Sequence, residues 1–334
     1  MARIAVNGFG RIGRYLLRLL ADDQDLELVA INARADAKTL VHLFKYDSVH
    51  GPFPGTTSAG SEGITVNGRN IRVTSEKTAA WKWKELGIDL VVETTGTLTS
   101  HAALSGHLER GARKVVVSAP AQDADLTVVM GVNHGLYDQA RHHIVSSASC
   151  TTNCLAPAAK VINDVFGIRH GLMTTIHSYT MDQRLLDGSH RDLRRGRAAA
   201  LSMTPTTTGA AKAVGLAIPE LKGKLDGLAV RVPTPNVSLV DLTCELNTAT
   251  TVAEVNATLK NAAESFMRDH LGYSDEPLVS CDYVGSIYGG VVDSLLTSVM
   301  DKTLLKLIIW YDNEAGFTNQ MVRLCRHMTS GKAF

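Results

Sequence analysis

The chain has 334 residues, 45% hydrophobic and 20% charged, with a formal net charge of +1. That length supports a large core divided over about two domains, and the near-zero charge excludes the basic footprint of a nucleic-acid binder and the acidity of a disordered tail. Five cysteines in so long a chain do not make the disulfide framework of a small secreted domain.

The opening stretch MARIAVNGFGRIGRYLL lacks the apolar region and cleavage site of a signal peptide. No apolar run is long enough to span a bilayer. A soluble, cytoplasmic protein without membrane partners is expected. RIAVNGFG, residues 3–10, reads as a strand ending in glycines, and RIGRYLLRLLAD as an amphipathic helix. LELVAINA is the next strand, KTLVHLFKYDSVHG a helix, and ITVNGRNIRVTSE a hairpin about a turn. IDLVVETTG, RKVVVSAPA, LTVVMGVN and HHIVSSAS follow as apolar, β-branched strands with helical pattern between some of them. The alternation predicts a mostly parallel sheet covered on both faces. After residue 150 the texture changes. TNCLAPAAKVINDVFG is helical despite Pro157. RHGLMTTIHSYT, LDGLAVRVP, VSLVDLTCELN and LLKLIIWYDN are longer, alternating strands that predict an antiparallel sheet with one covered face. TVAEVNATLKNAAES opens with a Thr251–Glu254 capping box, and GFTNQMVRLCRHM is a final amphipathic helix.

Gly8, Gly10 and Gly13 form G-x-G-x-x-G between that first strand and helix. A glycine-rich turn that binds nothing would share the spacing, but the strand–turn–helix context suits a dinucleotide. Gly8 permits the tight turn, Gly10 lets a pyrophosphate approach, and Gly13 lets helix and strand pack. The helix start then offers unpaired N–H groups to the phosphates. The fingerprint also wants an acid about 20 residues on, to hold the adenosine ribose. Ala33 stands there, followed by Arg34. Arg34 is either an ordinary surface arginine or a sign that the 2′-hydroxyl is not what this site accepts.

SASCTTNC, residues 147–154, holds two cysteines four residues apart. Zinc would need a second compact pair, and Cys244, Cys281 and Cys325 are scattered. A disulfide is disfavoured by the compartment. A reactive thiol fits better: Cys150 lies where a strand gives way to a helix, where the dipole lowers a thiol's pKa, whereas Cys154 falls one turn further in, buried and inert. A thiol nucleophile wants a base nearby. His177 in TTIHSYTMDQR is a candidate, though pattern alone does not select it from 12 histidines.

Together, VNGFGRIGR, SASCTTNCLAP, TTIHSYTMDQRLLD, DLRRGRAAALSMTPTTTGAAKAVG, PELKGKLDGLAVRVPTPNVSLVDL and WYDNEAGF closely resemble the glyceraldehyde-3-phosphate dehydrogenases, in the family's order over nearly the whole chain. The resemblance implies an α/β Rossmann-type dinucleotide-binding domain over residues 1–149 and 315–334. It implies an α+β catalytic domain with a mostly antiparallel sheet over residues 150–314. The implied reaction is the reversible, phosphorylating oxidation of D-glyceraldehyde 3-phosphate to 1,3-bisphosphoglycerate with NADP or NAD and no metal. Cys150 as thiolate attacks the aldehyde, and His177 pairs with it, steadies the oxyanion and takes its proton. Hydride transfer leaves a thioester that inorganic phosphate cleaves. The substrate phosphate would meet Thr180, Asp182 and Arg231. Inorganic phosphate would meet Ser149, Thr151, Thr208 and Gly209, with Arg195 close to both. The cofactor would meet Asn7, Gly8, Gly10, Arg11 and Ile12 at the pyrophosphate and Asn32, Ala33 and Arg34 at the ribose. Lys77 would lie near the adenine, Thr95, Gly96 and Ser118 after later strands, and Asn313 at the nicotinamide carboxamide. The family is a homotetramer whose loop, here about residues 178–201, brings Ser189 to a neighbour's cofactor.

The chain departs from the family's NAD-using pattern at Ala33–Arg34 and at Gly188–Ser189, and carries Ala315 and Phe317 where tryptophan and tyrosine are usual. Erythrose-4-phosphate dehydrogenase, a sister enzyme, usually alters the SYT and PTTTG segments that are intact here. A non-catalytic binding protein on the same scaffold gains no support from the near-neutral charge.

Overall fold

The computed structural model describes residues 1–121 and 123–330. Among the described residues the chain forms two compact units: Met1–Val128, His134–Ala148 and residues 321–330, and Val129–Asn133 with Ser149–Gln320.

The first unit contains β1 (Ala2–Asn7), α1 (Arg11–Leu20), β2 (Leu26–Asn32), α2 (Ala37–Lys45), β3 (Thr57–Ala59), β4 (Gly63–Val66) and β5 (Arg69–Thr74). It continues through β6 (Leu90–Glu93), α3 (His101–Glu109), β7 (Lys114–Val117), β8 (Leu126–Thr127) and β9 (Ile144–Ser146). Strand order is β3-β4-β5-β2-β1-β6-β7-β9-β8, parallel from β5 onward, with the β3–β4–β5 meander antiparallel at the edge. The predicted hairpin is β4–β5, turning on Asn67 and Gly68, both at positive φ (47° and 80°), as a two-residue hairpin turn demands. Helix α1 buries Gly13, Leu16, Leu17 and Leu20, the spacing of one helical face. Strand order reverses between β1 and β6, the crevice where open α/β sheets bind ligands. There Asn7 pairs in register with Asn32 on one side and Glu93 on the other. LTVVMGVN is a strand only at Leu126–Thr127, because the Asn133 side chain takes the Val129 N–H (2.8 Å) and turns the chain.

The second unit contains α4 (Cys150–Phe166), β10 (Ile168–Ser178), β11 (Thr204–Thr207), α5 (Ala210–Ala217), β12 (Leu225–Val232), β13 (Ser238–Leu246), α6 (Val252–Glu264), β14 (Leu271–Ser274), β15 (Gly290–Met300) and β16 (Leu304–Tyr311). Helix α7 (Ala315–Thr329) comes last, and the division between the units falls within it. The sheet runs β11-β12-β10-β13-β16-β15-β14. It is mostly antiparallel, with parallel pairs β10–β12 and β14–β15. Helix α4 is buried along most of its length, Pro157 included. The Thr251–Glu254 capping box is formed, both reciprocal bonds present. Strand β15 carries no alternating pattern and is broken by a register shift between Asp293 and Ser298, which hides it from a period-two reading.

The central strand β10 positions the chemistry of this unit. Along it, Met173, Thr175 and His177 are buried while Leu172 is exposed, so His177 lies on the covered face. The β10–β12 register sets His177 opposite Arg231.

Candidate active site

Ala148, at φ +58°, turns the chain between β9 and α4 in a left-handed conformation that is costly for a side-chain-bearing residue. Ser149 then caps α4, its Oγ accepting from Thr152 N at 3.1 Å. Cys150 is thus the first residue of the helix, partly exposed, with Sγ 3.5 Å from His177 Nε2. Cys154 is fully buried one turn on, its Sγ 3.6 Å from the Ile309 carbonyl.

His177 Nδ1 lies 2.7 Å from the Ser178 carbonyl. Arg231 Nη1 lies 2.8 Å from the same ring nitrogen and 3.0 Å from the same carbonyl. Arginine only donates, so its N–H goes either to the carbonyl or to Nδ1 itself; in the tautomer that suits a base, the proton sits on Nδ1 and the carbonyl takes both it and the guanidinium N–H. Nε2 is then the lone-pair nitrogen facing sulfur, positioned as a base. Burial, and next the Arg231 charge, pull the ring pKa down to about 3. Burial pushes the Cys150 thiol up, opposed by the Arg231 charge and by hydrogen bonds from Thr151. The helix start therefore does not by itself depress this thiol, contrary to the expectation from its place in the sequence. Arg231 is the cation that favours thiolate, and it disfavours imidazolium.

Tyr311 escapes sequence reasoning although its WYDN segment carries family resemblance. Its hydroxyl joins Thr151 Oγ1 (2.9 Å) and Thr175 Oγ1 (2.8 Å), and its ring meets His177 edge-on, centroids 5.8 Å apart. It ties α4, β10 and β16 together behind the thiol.

Of the anion-binding candidates, Arg231 Nε is buried with no partner among the described residues, a donor left for a ligand. Arg195 pairs with Asp182, donates to Thr206 Oγ1 at 2.9 Å and to the Thr207 carbonyl at 3.3 Å, and lies 3.7 Å from an Asp192 carboxylate oxygen. Arg195 and His190 hold the Asp182 carboxyl below its ordinary value, outweighing burial. An anionic Asp182 repels a phosphate, so its contribution is to hold Arg195. The Ser149 and Thr151 hydroxyls are engaged, by Thr152 and Tyr311. Thr208 Oγ1 accepts from Ala210 N at 3.2 Å. Gly209 caps α5 with open space where a side chain would be, and Thr180 is half-buried beyond β10. Asn313 is buried, its Oδ1 accepting from Ser238 Oγ at 3.0 Å, which leaves its amide N–H groups for another acceptor. Ala315 and Phe317, beside it in α7, are both buried. Ser189 is exposed, and its carbonyl accepts from Arg184 Nε at 3.0 Å.

In the first unit, Gly8 has φ +97°, and a Cβ there would lie 2.8 Å from Thr95 N. A Cβ on Gly13 would lie 2.5 Å from the Gly8 carbonyl oxygen, whereas Gly10 faces open space. Gly10 caps α1 without a side-chain bond, and the first-turn N–H of Ile12 is a donor facing this turn. This is a cradle that fits a pyrophosphate. The Arg11 side chain itself is committed to Asp47 through two bonds of 2.6 and 3.0 Å. Asn7 and Asn32 are buried and joined at 2.8 Å. Ala33 is half-buried. Arg34 and Lys77 are exposed, with Gly96 at φ +71° and Ser118 N bonded to the Glu93 carbonyl at 3.0 Å. Gly13→Ala should cost about 1–3 kcal/mol of stability by overpacking and weaken dinucleotide binding, while Gly10→Ala should leave stability within about 0.5 kcal/mol. Thermal unfolding of both checks this; an unchanged Tm for Gly13→Ala would contradict the packing role.

Residues 2–101 match the family model "Glyceraldehyde 3-phosphate dehydrogenase, NAD binding domain", and residues 149–313 match the corresponding C-terminal domain model. Glyceraldehyde-3-phosphate dehydrogenase 1 of Bacillus cereus is 55% identical over 331 residues, 99% of each chain. The chain belongs to the glyceraldehyde-3-phosphate dehydrogenase family. The enzyme of Geobacillus stearothermophilus bearing that name is 54% identical over 98% of each chain, and glyceraldehyde-3-phosphate dehydrogenase 2 of Trichormus variabilis 52% over 97%. The protein is accordingly an NAD(P)-dependent oxidoreductase, a phosphorylating aldehyde dehydrogenase with the family's Rossmann-type NAD-binding domain and C-terminal catalytic domain. It oxidises glyceraldehyde 3-phosphate, and the erythrose 4-phosphate alternative is not favoured. In this chain a thiol and an imidazole, Cys150 and His177, meet at 3.5 Å.

Proposed function

We propose that oxidation proceeds through a thioester on Cys150, with His177 as the base, and that NADP is accepted at least as well as NAD. The observation that carries the thiol assignment is the 3.5 Å approach of Cys150 Sγ to His177 Nε2 at the start of α4. His177 Nε2 takes the thiol proton as sulfur attacks the aldehyde carbon, and the resulting N–H then supports the hemithioacetal oxygen. A bound nicotinamide dinucleotide supplies the hydride acceptor. The cradle at Gly8, Gly10 and the α1 start would hold its pyrophosphate, and Asn313 its carboxamide. Arg231, with its unpartnered Nε, and Arg195, held by Asp182, bind the substrate and inorganic phosphates. A guanidinium suits such groups because it can donate two parallel bonds. Thr180, Thr208 and Gly209 add neutral donors. Inorganic phosphate attacks the thioester carbonyl, and the Cys150 thiolate leaves.

The cofactor preference rests on Ala33 and Arg34. A carboxylate at position 33 would bind ribose hydroxyls and repel a 2′-phosphate, and alanine does neither. Arg34 is exposed and makes no hydrogen bond or ion pair among the described residues. The nearby carboxylate of Asp36 is turned into α2, where it caps Thr39 N at 2.8 Å. Gly188 and Ser189, from a neighbouring subunit, leave room and add a donor. A charge-assisted hydrogen bond to the 2′-phosphate is worth roughly 1.5–3 kcal/mol, or about 10–150-fold in affinity. Arg34→Ala should lower kcat/KM for NADP by that order and leave NAD little changed, and Ala33→Asp should shift preference to NAD. A strong NAD preference in the wild type, insensitive to Arg34→Ala, would eliminate the 2′-phosphate site.

A homotetramer is supported by the loop after β10, where Met181, Leu185 and Leu193 are 87%, 81% and 85% exposed, more apolar surface than a monomer leaves to water in one segment. Among the described residues no helix is long and apolar enough to cross a membrane, and a cytoplasmic setting suits the reaction.

A further inference from the structure

A chain of buried polar groups in the first unit takes no part in the thiol chemistry. His107, on α3, is fully buried, and Glu93, at the end of β6, is 1% exposed. Trp83 Nε1 lies 3.0 Å from His107 Nδ1, and His107 Nε2 lies 3.1 Å from Glu93 Oε2. The Trp81 ring stacks on the imidazole, centroids 3.9 Å apart. An indole N–H only donates, so Nδ1 must be the acceptor and the ring proton must sit on Nε2, pointing at Glu93. The carboxylate also accepts from Asn7 Nδ2 at 2.6 Å, from Thr95 N at 2.7 Å and from Thr95 Oγ1 at 2.5 Å. All four partners can donate, so the Glu93 carboxyl serves as their common acceptor.

From Glu93 the order passes outward. Asn7 Oδ1 accepts from Asn32 Nδ2, whose own Oδ1 accepts from Glu76 N at 2.7 Å and Thr74 Oγ1 at 3.0 Å. The ends of β1, β2, β5 and β6 are thereby joined at the reversal of strand order. The Gly8 turn rests on the Thr95 backbone that Glu93 holds.

We propose that Trp83, His107 and Glu93 form a buried positioning chain for the dinucleotide, in which His107, with its proton on Nε2, fixes the Glu93 carboxyl that aims Asn7 and Thr95. The proposal rests on the dinucleotide reading of the Gly8 loop. These three are positioning residues, since none of them is placed against the reacting atoms.

Glu93→Gln keeps the shape but presents an N–H₂ where two donors now converge. It should raise the Kd of both NAD and NADP by about 10–100-fold, the order expected when a buried donor loses its acceptor. The rate of Cys150 alkylation and the KM for glyceraldehyde 3-phosphate at saturating cofactor should stay unchanged. His107→Leu should behave like Glu93→Gln, whereas His107→Gln, able to accept from Trp83 and donate to Glu93, should recover most of the affinity. Unchanged dinucleotide affinity in Glu93→Gln, or equal loss in His107→Gln and His107→Leu, would overturn the proposal. Nitrogen NMR of wild-type enzyme with labelled histidine is independent of whether the variants fold. It should find the His107 proton on Nε2, and a proton on Nδ1 would refute the chain. Wild-type enzyme that binds neither dinucleotide would instead remove the reading on which the proposal stands.

Discussion

Cys150→Ala should lower turnover of glyceraldehyde 3-phosphate by roughly 10⁴–10⁶-fold, the range seen when a covalent nucleophile is removed. No other thiol can substitute. Cys154 is buried and its thiol is pushed well above the ordinary value by burial and by Cys150. Burial pushes Cys244 and Cys325 to about 12. Cys281, by contrast, is exposed, so it competes for an alkylating reagent although it lies outside the site. Stoichiometric alkylation at neutral pH, followed by peptide mapping, should show activity loss tracking modification of Cys150. Modification of Cys281 should leave turnover unchanged, and Cys154 should remain unlabelled. Activity surviving full labelling of Cys150, or labelling of Cys154 at an equal rate, would remove the assignment.

His177→Asn should slow acylation by about 10²–10⁴-fold, the usual worth of a positioned general base. The loss should fall in kcat more than in KM, because His177 meets the reacting sulfur and its partners Ser178 and Arg231 keep each other. Turnover within about twofold of wild type would make His177 a structural residue. The same side chain has a consequence for stability. Its ring is held at about 3 in the folded protein, against about 6.5 in an unfolded chain. Between those values the unfolded state binds more protons, so stability falls as the pH drops from about 6.5 toward 3. Acid-induced unfolding should therefore be shallower over this window in His177→Asn than in wild type, and identical pH profiles would show that the ring is not held neutral.

Much of this organisation is written locally. The Asn67–Gly68 turn, the Thr251–Glu254 capping box, the apolar face of α1 and the three glycines each obey rules acting over a few residues. What pattern does not supply is set by long-range pairing. His177 is distinguished from the other histidines only by lying on the covered face of β10 and by a register that sets it opposite Arg231. The electrostatics are governed in the same way. A helix start suggests a depressed Cys150 thiol, but burial outweighs it, and the cation opposing burial, Arg231, comes from β12, remote in sequence. Tyr311 behind the thiol and Glu93 beneath the Gly8 turn escape a sequence reading for a similar reason: a buried hydroxyl or carboxylate carries no local signature, and only its assembled partners reveal it. Strand β15 escapes it because its apolar residues do not alternate.

On the proposed thioester route, oxidation leaves an acyl group on Cys150 that phosphate then removes. Mixing enzyme with glyceraldehyde 3-phosphate and NADP or NAD in phosphate-free buffer, quenching in acid and mapping the mass of the SASCTTNC peptide makes that intermediate visible. One equivalent of reduced cofactor per chain should appear in a burst, with a 3-phosphoglyceryl adduct on Cys150 that disappears when phosphate is added and turnover resumes. A burst-free, phosphate-independent rate with an unmodified Cys150 peptide would contradict a thioester route.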